Sequence, residues 1–299
     1  IGATCKKLNL ECYLDDAKFL SQQNKYGVCL DSISKIKKNE YDLIIIDEVE
    51  QVIAHIMSDT MASRRASAFR KLVWYSKKVV LLDADVSWVS YAVFNIIIQG
   101  AQSSLPFLKQ KHKHDFTAHV FLNRFKKPSP EVQLYSREEQ LINHLIESIK
   151  ANKRVFVACN SKKQADSLTE LAKQNISEEK VLTVTSENSR VEEIQHIITN
   201  IDKEILNYQA VFASPSLGTG IDITFEGNEE LIDCVYGFFK PLINTHLDID
   251  QQLARVRHPK SVHVWVSPDF YTFETNLGVI VDDHMAEYAV EVFHQQFLI

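Results

Sequence analysis

At 299 residues, with 45% hydrophobic and 24% charged side chains, the chain has the composition of a soluble globular protein with room for two domains. Eight glycines and seven prolines exclude collagen-like or low-complexity character, and no apolar run approaches the ~20 residues of a membrane-spanning helix. A net charge of −6 excludes a chain that is basic throughout, while a local basic groove remains compatible with it.

In chain order, residues 14–23 carry a helical pattern, 26–30 (YGVCL) and 42–47 read as strands, and 61–75 reads as a helix. Residues 77–87 (KKVVLLDADVS) form a further buried strand ending in acids, followed by an apolar stretch to about residue 99. Regular pattern lapses over 100–116, and a strand is expected at 117–122. The polar, proline-containing string KKPSPE (126–131) places a boundary there, dividing 1–125 from 126–299. The second half repeats the grammar: helix 137–151, strand 154–160, helix 161–175, strand 181–187, helix 189–206, then strands within 209–223, 230–238 and 261–267. An amphipathic helix is expected at 282–299. Strands alternating with helices of this length imply an α/β fold: two tandem domains with mostly parallel sheets.

Five cysteines (Cys5, Cys12, Cys29, Cys159, Cys234) lack CxxC spacing, which points to reduced thiols and away from a zinc site. The chain opens at Ile1 with no cationic, then apolar, leader. A start other than Met suggests a fragment or a processed product.

Three strings carry chemistry. Residues 42–51 (DLIIIDEVEQ) join a continuous apolar run, typical of a strand covered on both faces, to an acidic pair. Ligands of such sheets bind off the carboxyl ends of the strands, where Asp47 and Glu48 emerge. A plain strand followed by an acidic helix start gives the same letters. Residues 209–223 (QAVFASPSLGTGIDI) put Ser214, Ser216, Gly218, Thr219, Gly220 and Asp222 on a loop after a buried strand. Small and hydroxyl residues let backbone amides approach phosphate, and Asp222 suits a ribose or a partner arginine. A simple glycine-containing turn is the alternative. Residues 248–259 (DIDQQLARVRHP) are expected to carry Gln251, Arg255 and Arg257 on one short helix closed by His258 and Pro259. A guanidinium there can stabilise charge on a transferring phosphoryl group. The alternative is a solvated basic helix paired with Asp248 and Asp250.

Taken in order, these strings resemble the motifs of superfamily 2 helicases, motors built from two RecA-like domains. DEVEQ resembles the Walker B motif II and LDADVS (82–87) resembles motif III, which couples nucleotide state to the nucleic-acid track. VFVACNSKKQADSL (155–168) resembles motif IV, VLTVTS (181–186) the phosphate-touching motif after it, ASPSLGTGIDI motif V and QQLARVRHP motif VI. The set spans residues 29–258. DEVEQ with LDAD and QxxxRVR resembles origin-of-replication-binding helicases, including herpesvirus-type proteins, and is closer still to plasmid and cyanobacterial replication proteins.

The resemblance implies a helicase ATPase using ATP and Mg²⁺, with Asp47 holding the metal through water and Glu48 activating the attacking water. Arg255 and Arg257 share the phosphate work, while Gly218, Thr219, Gly220, Asp222 and Gln251 contact nucleotide. Nucleic acid lies across the tops of both domains, with Ser32, Thr185, Ser186, Ser214 and Ser216 as contacts. Hydroxyl and amide contacts to phosphate are sequence-independent, as a translocating motor requires. Helix capping is the alternative for Thr185 and Ser186. The implied partners are single-stranded DNA, a replication origin and other replication proteins, with no membrane. The implied location is cytoplasmic and DNA-associated, or nuclear for a virus of eukaryotes.

Two departures stand out. No GxxxxGK[ST] occurs in the chain, so the lysine and hydroxyl that hold nucleotide phosphates and Mg²⁺ are missing. With Glu48 and the arginines retained, this fits an N-terminally truncated helicase whose first domain is incomplete, hydrolysing ATP poorly by itself. An inactive helicase-like module that binds DNA or a partner is the alternative. In motif VI, Ala254 replaces the usual glycine and His258 the last arginine, with Arg257 one residue earlier. Trp74, Trp88 and Trp265 sit in apolar patterns and read as core.

Overall fold

The computed structural model describes residues 5, 8–12, 25–36, 38, 40–56, 63–99, 117–123, 130–189, 191–215, 222–243, 245–276, 278–279 and 282–283. The chain divides into two compact units, Ile1–Pro128 and Ser129–Ile299. The predicted helix at 14–23, the segment 100–116 and most of 282–299 lie outside the described residues.

In the first unit, β1 (Glu11–Cys12) pairs in parallel with β2 (Tyr26–Gly27). A second parallel pair joins β3 (Ile44–Asp47) to β4 (Val79–Leu82), Ile44 opposite Val79 and Asp47 opposite Leu82. Three helices follow the strands: α1 (Val49–Ile56), α2 (Ser63–Tyr75) and α3 (Trp88–Gln99). One face of β3 and β4 packs with them: Ile46, Val49, Ile53, Phe69, Leu72, Val73 and Phe94 form the core, with Ile44, Val79 and Leu81 against it. The other face carries Ile45, Val80 and Leu82, which are 40–55% exposed.

The second unit is a six-stranded, all-parallel sheet in the order β5-β10-β9-β6-β8-β7. Its strands are β5 (Glu131–Tyr135), β6 (Val155–Cys159), β7 (Val181–Val184), β8 (Ala210–Ala213), β9 (Cys234–Phe239) and β10 (Ser261–Val266). Alternate residues enter two cores, because each central strand is covered on both faces. Val155, Val157, Cys159, Phe212, Tyr236 and Phe238 meet α4 (Glu138–Lys150) and α5 (Lys162–Lys173) through Leu141, Leu145, Ala165 and Leu168. Phe156, Val211, Val235 and Phe239 meet Ile197 of α6 (Glu192–Thr199), Ile201 of α7 (Ile201–Glu204), and Ile205, Ile223 and Val256. Gly237 lets α8 (His246–Leu253) approach β9: a Cβ there would lie 2.8 Å from Leu253 Cδ2 and collide with the Phe239 ring.

Several expectations are corrected. The strand expected at 26–30 ends at Gly27, and Leu30–Lys35 turns into a 3₁₀ helix with Ser32 and Ile33 buried. Residues 117–122 form no strand: Val120, Phe121 and Leu122 are exposed and in no ladder. Glu131, assigned to the polar boundary, instead opens β5, an edge strand whose residues are largely exposed. Trp88 is not core but 80% exposed, whereas Trp265 is buried as expected.

Candidate functional site

The first unit gathers its acids at the carboxyl ends of β3 and β4. Asp47 ends β3 and is exposed, and Glu48 makes the turn into α1. Glu48 sits at φ 55, a left-handed conformation that a residue with a Cβ adopts only when its surroundings fix it. Such outliers concentrate at functional sites.

A residue that the sequence reading passed over holds this turn in place. The backbone N–H of Glu50 donates to Asp83 Oδ2 at 2.9 Å, and the N–H of Asp85 donates to Asp83 Oδ1 at 2.9 Å. The Glu50 carboxylate in turn accepts from the backbone N–H of Ser87 and, at 3.0 Å, from Ser87 Oγ. DEVE and LDADVS are therefore stitched by three hydrogen bonds, one onto Asp83 and two onto Glu50, while the Asp85 bond onto Asp83 braces LDADVS itself. Charge-assisted bonds of this kind are stronger than neutral ones, and they tie the two loops to each other. The visible signal was the repetition of acids three residues apart in D-E-V-E, with an LDAD string at the end of the adjoining strand. Ser32 lies buried in the 3₁₀ turn beside Asp31, whose carboxylate pairs with Arg65 at 2.9 Å and His55 at 3.1 Å.

In the second unit the arginines are not on one helix. α8 opens with a capping box: Thr245 Oγ1 accepts from the Asp248 N–H, and Asp248 accepts from the Thr245 N–H. It ends at Leu253, with Ala254 as its C-cap, so Arg255 lies in the turn after the helix and Arg257 in the bend beyond it. Between them Val256 makes one parallel bridge to Ile223 of the motif V string. Ile223 N–H donates to Arg255 O at 2.7 Å, and Arg257 N–H donates to Ile223 O at 3.1 Å. Arg257 Nε reaches Asp222 Oδ1 at 2.9 Å, and Thr224 Oγ1 donates to the same oxygen at 2.8 Å. Asp222 thus holds an arginine of the same unit, and neither Asp248 nor Asp250 is the partner in this pair.

Arg255 differs sharply. Its residue is 9% exposed and its Nη1 is buried, with no hydrogen-bond partner among the described residues. Burial alone pulls its pKa down to about 10, so the guanidinium stays charged at neutral pH. A buried cation with an unmade bond is costly, and an anion brought to it recovers that cost. Gln251 lies half-buried on α8, one turn before it.

The remaining predicted contacts cluster at the carboxyl edge of the sheet. Thr185 follows β7, is buried, and receives its neighbour's support: its N–H donates to Asn188 Oδ1 at 2.8 Å while Asn188 Nδ2 donates to Thr183 O at 2.7 Å. Ser186 is exposed beside it. Ser214, after β8, is buried with its N–H on Val184 O at 3.0 Å. Ser216, Gly218, Thr219 and Gly220 lie outside the described residues. Asn160, at the end of β6, was not singled out from sequence; it is 3% exposed and its Oδ1 has no partner among the described residues.

Comparison with known proteins agrees with this architecture. Residues 8–100 match the family model described as "Origin of replication binding protein". The chain is 23% identical over 227 residues to a "Putative helicase/primase complex protein" of African swine fever virus (isolate Tick/Malawi/Lil 20-1/1983), covering 74% of this chain and 18% of the relative. It is 25% identical over 266 residues to an "Uncharacterized putative helicase R8" of Acanthamoeba polyphaga mimivirus, covering 82% of this chain and 23% of that protein. A "Replication origin-binding protein" of human herpesvirus 6B (strain Z29) is 22% identical over 215 residues, covering 69% of this chain and 26% of its own. The chain therefore spans about a fifth to a quarter of the length of these relatives. Among solved structures, yeast Dbp5 bound to RNA and ADP BeF3 superposes with a TM-score of 0.53 at 14% identity, covering 84% of this chain and 61% of that one. The fold is that of the RecA-like helicases, and the sequence is similar to viral replication helicases and origin-binding proteins. Among the described residues no helix is long and apolar enough to cross a membrane.

Proposed function

We propose that this chain is part of the motor of a superfamily 2 DNA helicase acting in replication initiation. The observation that carries the reading is the buried Arg255 guanidinium, its Nη1 unpartnered among the described residues, held by the bridge that joins motif VI to motif V. A site of that kind fits a phosphate, and Asp47, an exposed carboxylate at a strand end, fits a divalent cation such as Mg²⁺. Bound there, Mg²⁺ would neutralise charge on the β- and γ-phosphates of ATP.

In this reading Asp47 holds the metal through water and Glu48 takes the proton of the attacking water. Glu50 and Asp83 keep Glu48 in its left-handed turn and pass its position to LDADVS. Arg255 meets the developing charge on the γ-phosphoryl group. Arg257 acts chiefly by holding Asp222 and so the shape of motif V, with Gln251, Gly218, Thr219 and Gly220 as further nucleotide contacts. Ser32, Thr185, Ser186, Ser214 and Ser216 face the phosphates of a single DNA strand, and the relatives' names support a replication origin and replication proteins as partners.

The chain holds no GxxxxGK[ST], so the proposed hydrolysis requires a phosphate-binding loop from outside these residues. The same observation favours a second reading, a helicase-like module that binds DNA or a replication partner without turnover. Arginine variants in the product of the complete reading frame test the first. Arg255→Ala should lower DNA-stimulated ATP hydrolysis by about 10³-fold or more with a smaller loss of nucleotide affinity. Arg257→Ala should lower it less. Equal losses of hydrolysis and binding in Arg255→Ala would remove the charge-stabilising role.

A further inference from the structure

The carboxyl edge of the second unit carries a feature that the nucleotide chemistry leaves unused. After β10 the chain turns at Ser267, whose N–H donates to Phe239 O at 2.8 Å and whose Oγ donates to Asp269 Oδ2 at 2.6 Å. The next residues present three aromatic rings to solvent: Phe270 is 86% exposed, Tyr271 52% and Phe273 66%. The Tyr271 and Phe273 rings lie near-parallel, 26° between planes and 6.1 Å between centroids. The segment is braced beyond them, where Glu274 Oε1 accepts from the N–H groups of Thr275 (2.9 Å) and Asn276 (2.7 Å). The carboxylates of Asp269 and Glu274 are thereby engaged with their own loop. Beside this segment, the loop leaving β9 exposes Leu242 and Ile243, with Leu242 held at φ 71. Five large apolar side chains on two adjoining loops are more than scattered surface residues.

All six strands are parallel, so their carboxyl ends share one edge. Along it the chemistry changes with strand order. β10 and β9 are followed by exposed aromatic and aliphatic side chains; β6, β8 and β7 are followed by the buried Asn160, Ser214 and Thr185 and the exposed Ser186. Asn160 links the two halves, its Nδ2 donating to Lys240 O at 3.2 Å while its buried Oδ1 has no partner among the described residues. From β10 to β7 the edge spans four strand spacings, about 19 Å. A polymer with a hydrogen-bonding backbone and flat apolar side groups is complementary to such an edge.

We propose that Phe270, Tyr271 and Phe273 form a base-stacking platform for single-stranded nucleic acid, beside the hydroxyl and amide groups that face its phosphates. The inference rests on the nucleic-acid reading of the same edge given above. Stacking accepts any base, since every base has a π-face, so the platform adds affinity without choosing sequence. Nothing in the motif strings marks it, because FYTF lies after motif VI.

The test is fluorescence anisotropy of the 299-residue chain with a labelled oligo-dT and with an abasic oligonucleotide of equal length, for the wild type and for Tyr271→Ala/Phe273→Ala. The double variant should bind oligo-dT roughly ten- to a hundred-fold more weakly, while wild type and variant bind the abasic strand alike. The salt dependence on oligo-dT should be the same for both, because phosphate contacts are untouched. Tyr271→Phe should bind as the wild type does. Thermal unfolding should be unchanged, since the rings are exposed. Equal affinity of wild type and double variant for oligo-dT, or an equal loss on the abasic strand, overturns the platform alone. Failure of the wild type to bind any single strand overturns the platform together with the nucleic-acid reading.

Discussion

The two units solve the same packing problem to different degrees. In the second, Val157, Phe212, Tyr236 and Phe238 are fully buried, and both sheet faces are covered by helices. In the first, β3 and β4 bury one face and leave Ile45, Val80 and Leu82 substantially exposed on the other. The difference teaches where the candidate residues of each unit get their rigidity. Arg255 is held by a closed scaffold, through the Ile223–Val256 bridge and the close approach of α8 at Gly237. Asp47 and Glu48 stand on a sheet packed from one side, and the hydrogen bonds of Glu50 and Asp83 supply the definition that packing gives elsewhere.

The largest effect that would break this contrast is a core deletion. Phe212→Ala should destabilise the second unit by about 3–5 kcal/mol, because the side chain is wholly buried in a central strand. Ile45→Ala in the first unit should change stability by only about 0.5 kcal/mol, since more than half of the residue is already in solvent. Urea unfolding of both variants measures the pair, and comparable losses would contradict the account.

Next in size is Gly237→Ala, whose new methyl group meets Phe239 and Leu253. The overpacking should cost about 1–3 kcal/mol and push α8 outward, loosening the bridge beside Arg255. Hydrogen exchange should then accelerate at the amides of Ile223 and Arg257, which close that bridge. Unchanged exchange would mean that α8 does not position motif VI.

A local effect of similar size is expected from Glu50→Ala, which removes the carboxylate that accepts from the Ser87 N–H and Oγ. It should cost about 1–3 kcal/mol within the first unit and deprotect the Ser87 amide, with the second unit unaffected. Preserved protection at Ser87 would show that packing, rather than this carboxylate, holds the two motifs together.

The effect that vanishes at neutral pH concerns the second unit. His263 is buried between Tyr135, whose hydroxyl lies 3.2 Å from Nδ1, and Ser261, whose Oγ lies 2.9 Å from Nε2. The His144 ring is 4.3 Å away, and Tyr236 stacks on the other ring. Burial, then His144 and Lys153, lower the His263 pKa to about 4, and burial with Lys153 lowers that of His144 against an opposing pull from Glu147. In the unfolded chain a histidine titrates near ~6.5. Between these values the unfolded state binds the proton and the folded state does not, so stability should be full above pH ~6.5 and fall as pH drops toward 4. His263→Phe should flatten the pH dependence of the melting temperature over that window; an unchanged slope would remove His263 as its source.

Much of this was legible in the letters. The strands β6, β8, β9 and β10 announce themselves because residues covered on both faces form continuous apolar runs, and β3 and β4 carry the same kind of run although only one of their faces is buried. β5 escaped because Glu131–Tyr135 is an exposed edge strand of mixed polarity, and its place is decided by the neighbouring β10 rather than by its own residues. Residues 117–122 showed the reverse, a strand-like string that pairs with no strand among the described residues. Arg255 and Arg257 were given to a helix because neither Gly nor Pro marks its end at Ala254, although the T-x-x-D capping box at Thr245 and Asp248 marks its start. That Arg257 pairs with Asp222 while Arg255 is left with a buried, unmade bond depends on the Ile223–Val256 bridge, a contact across more than thirty residues that no local pattern records.

The central claim is that Glu48 and Arg255 serve one ATP-hydrolysing motor. Its most direct measurement is single-strand-DNA-stimulated ATP hydrolysis by the product of the complete reading frame, beside its Glu48→Gln variant. The account predicts DNA-dependent turnover in the wild type and its abolition in the variant, with nucleotide binding kept. Near-normal turnover in Glu48→Gln, or none in a folded wild-type protein, would contradict it.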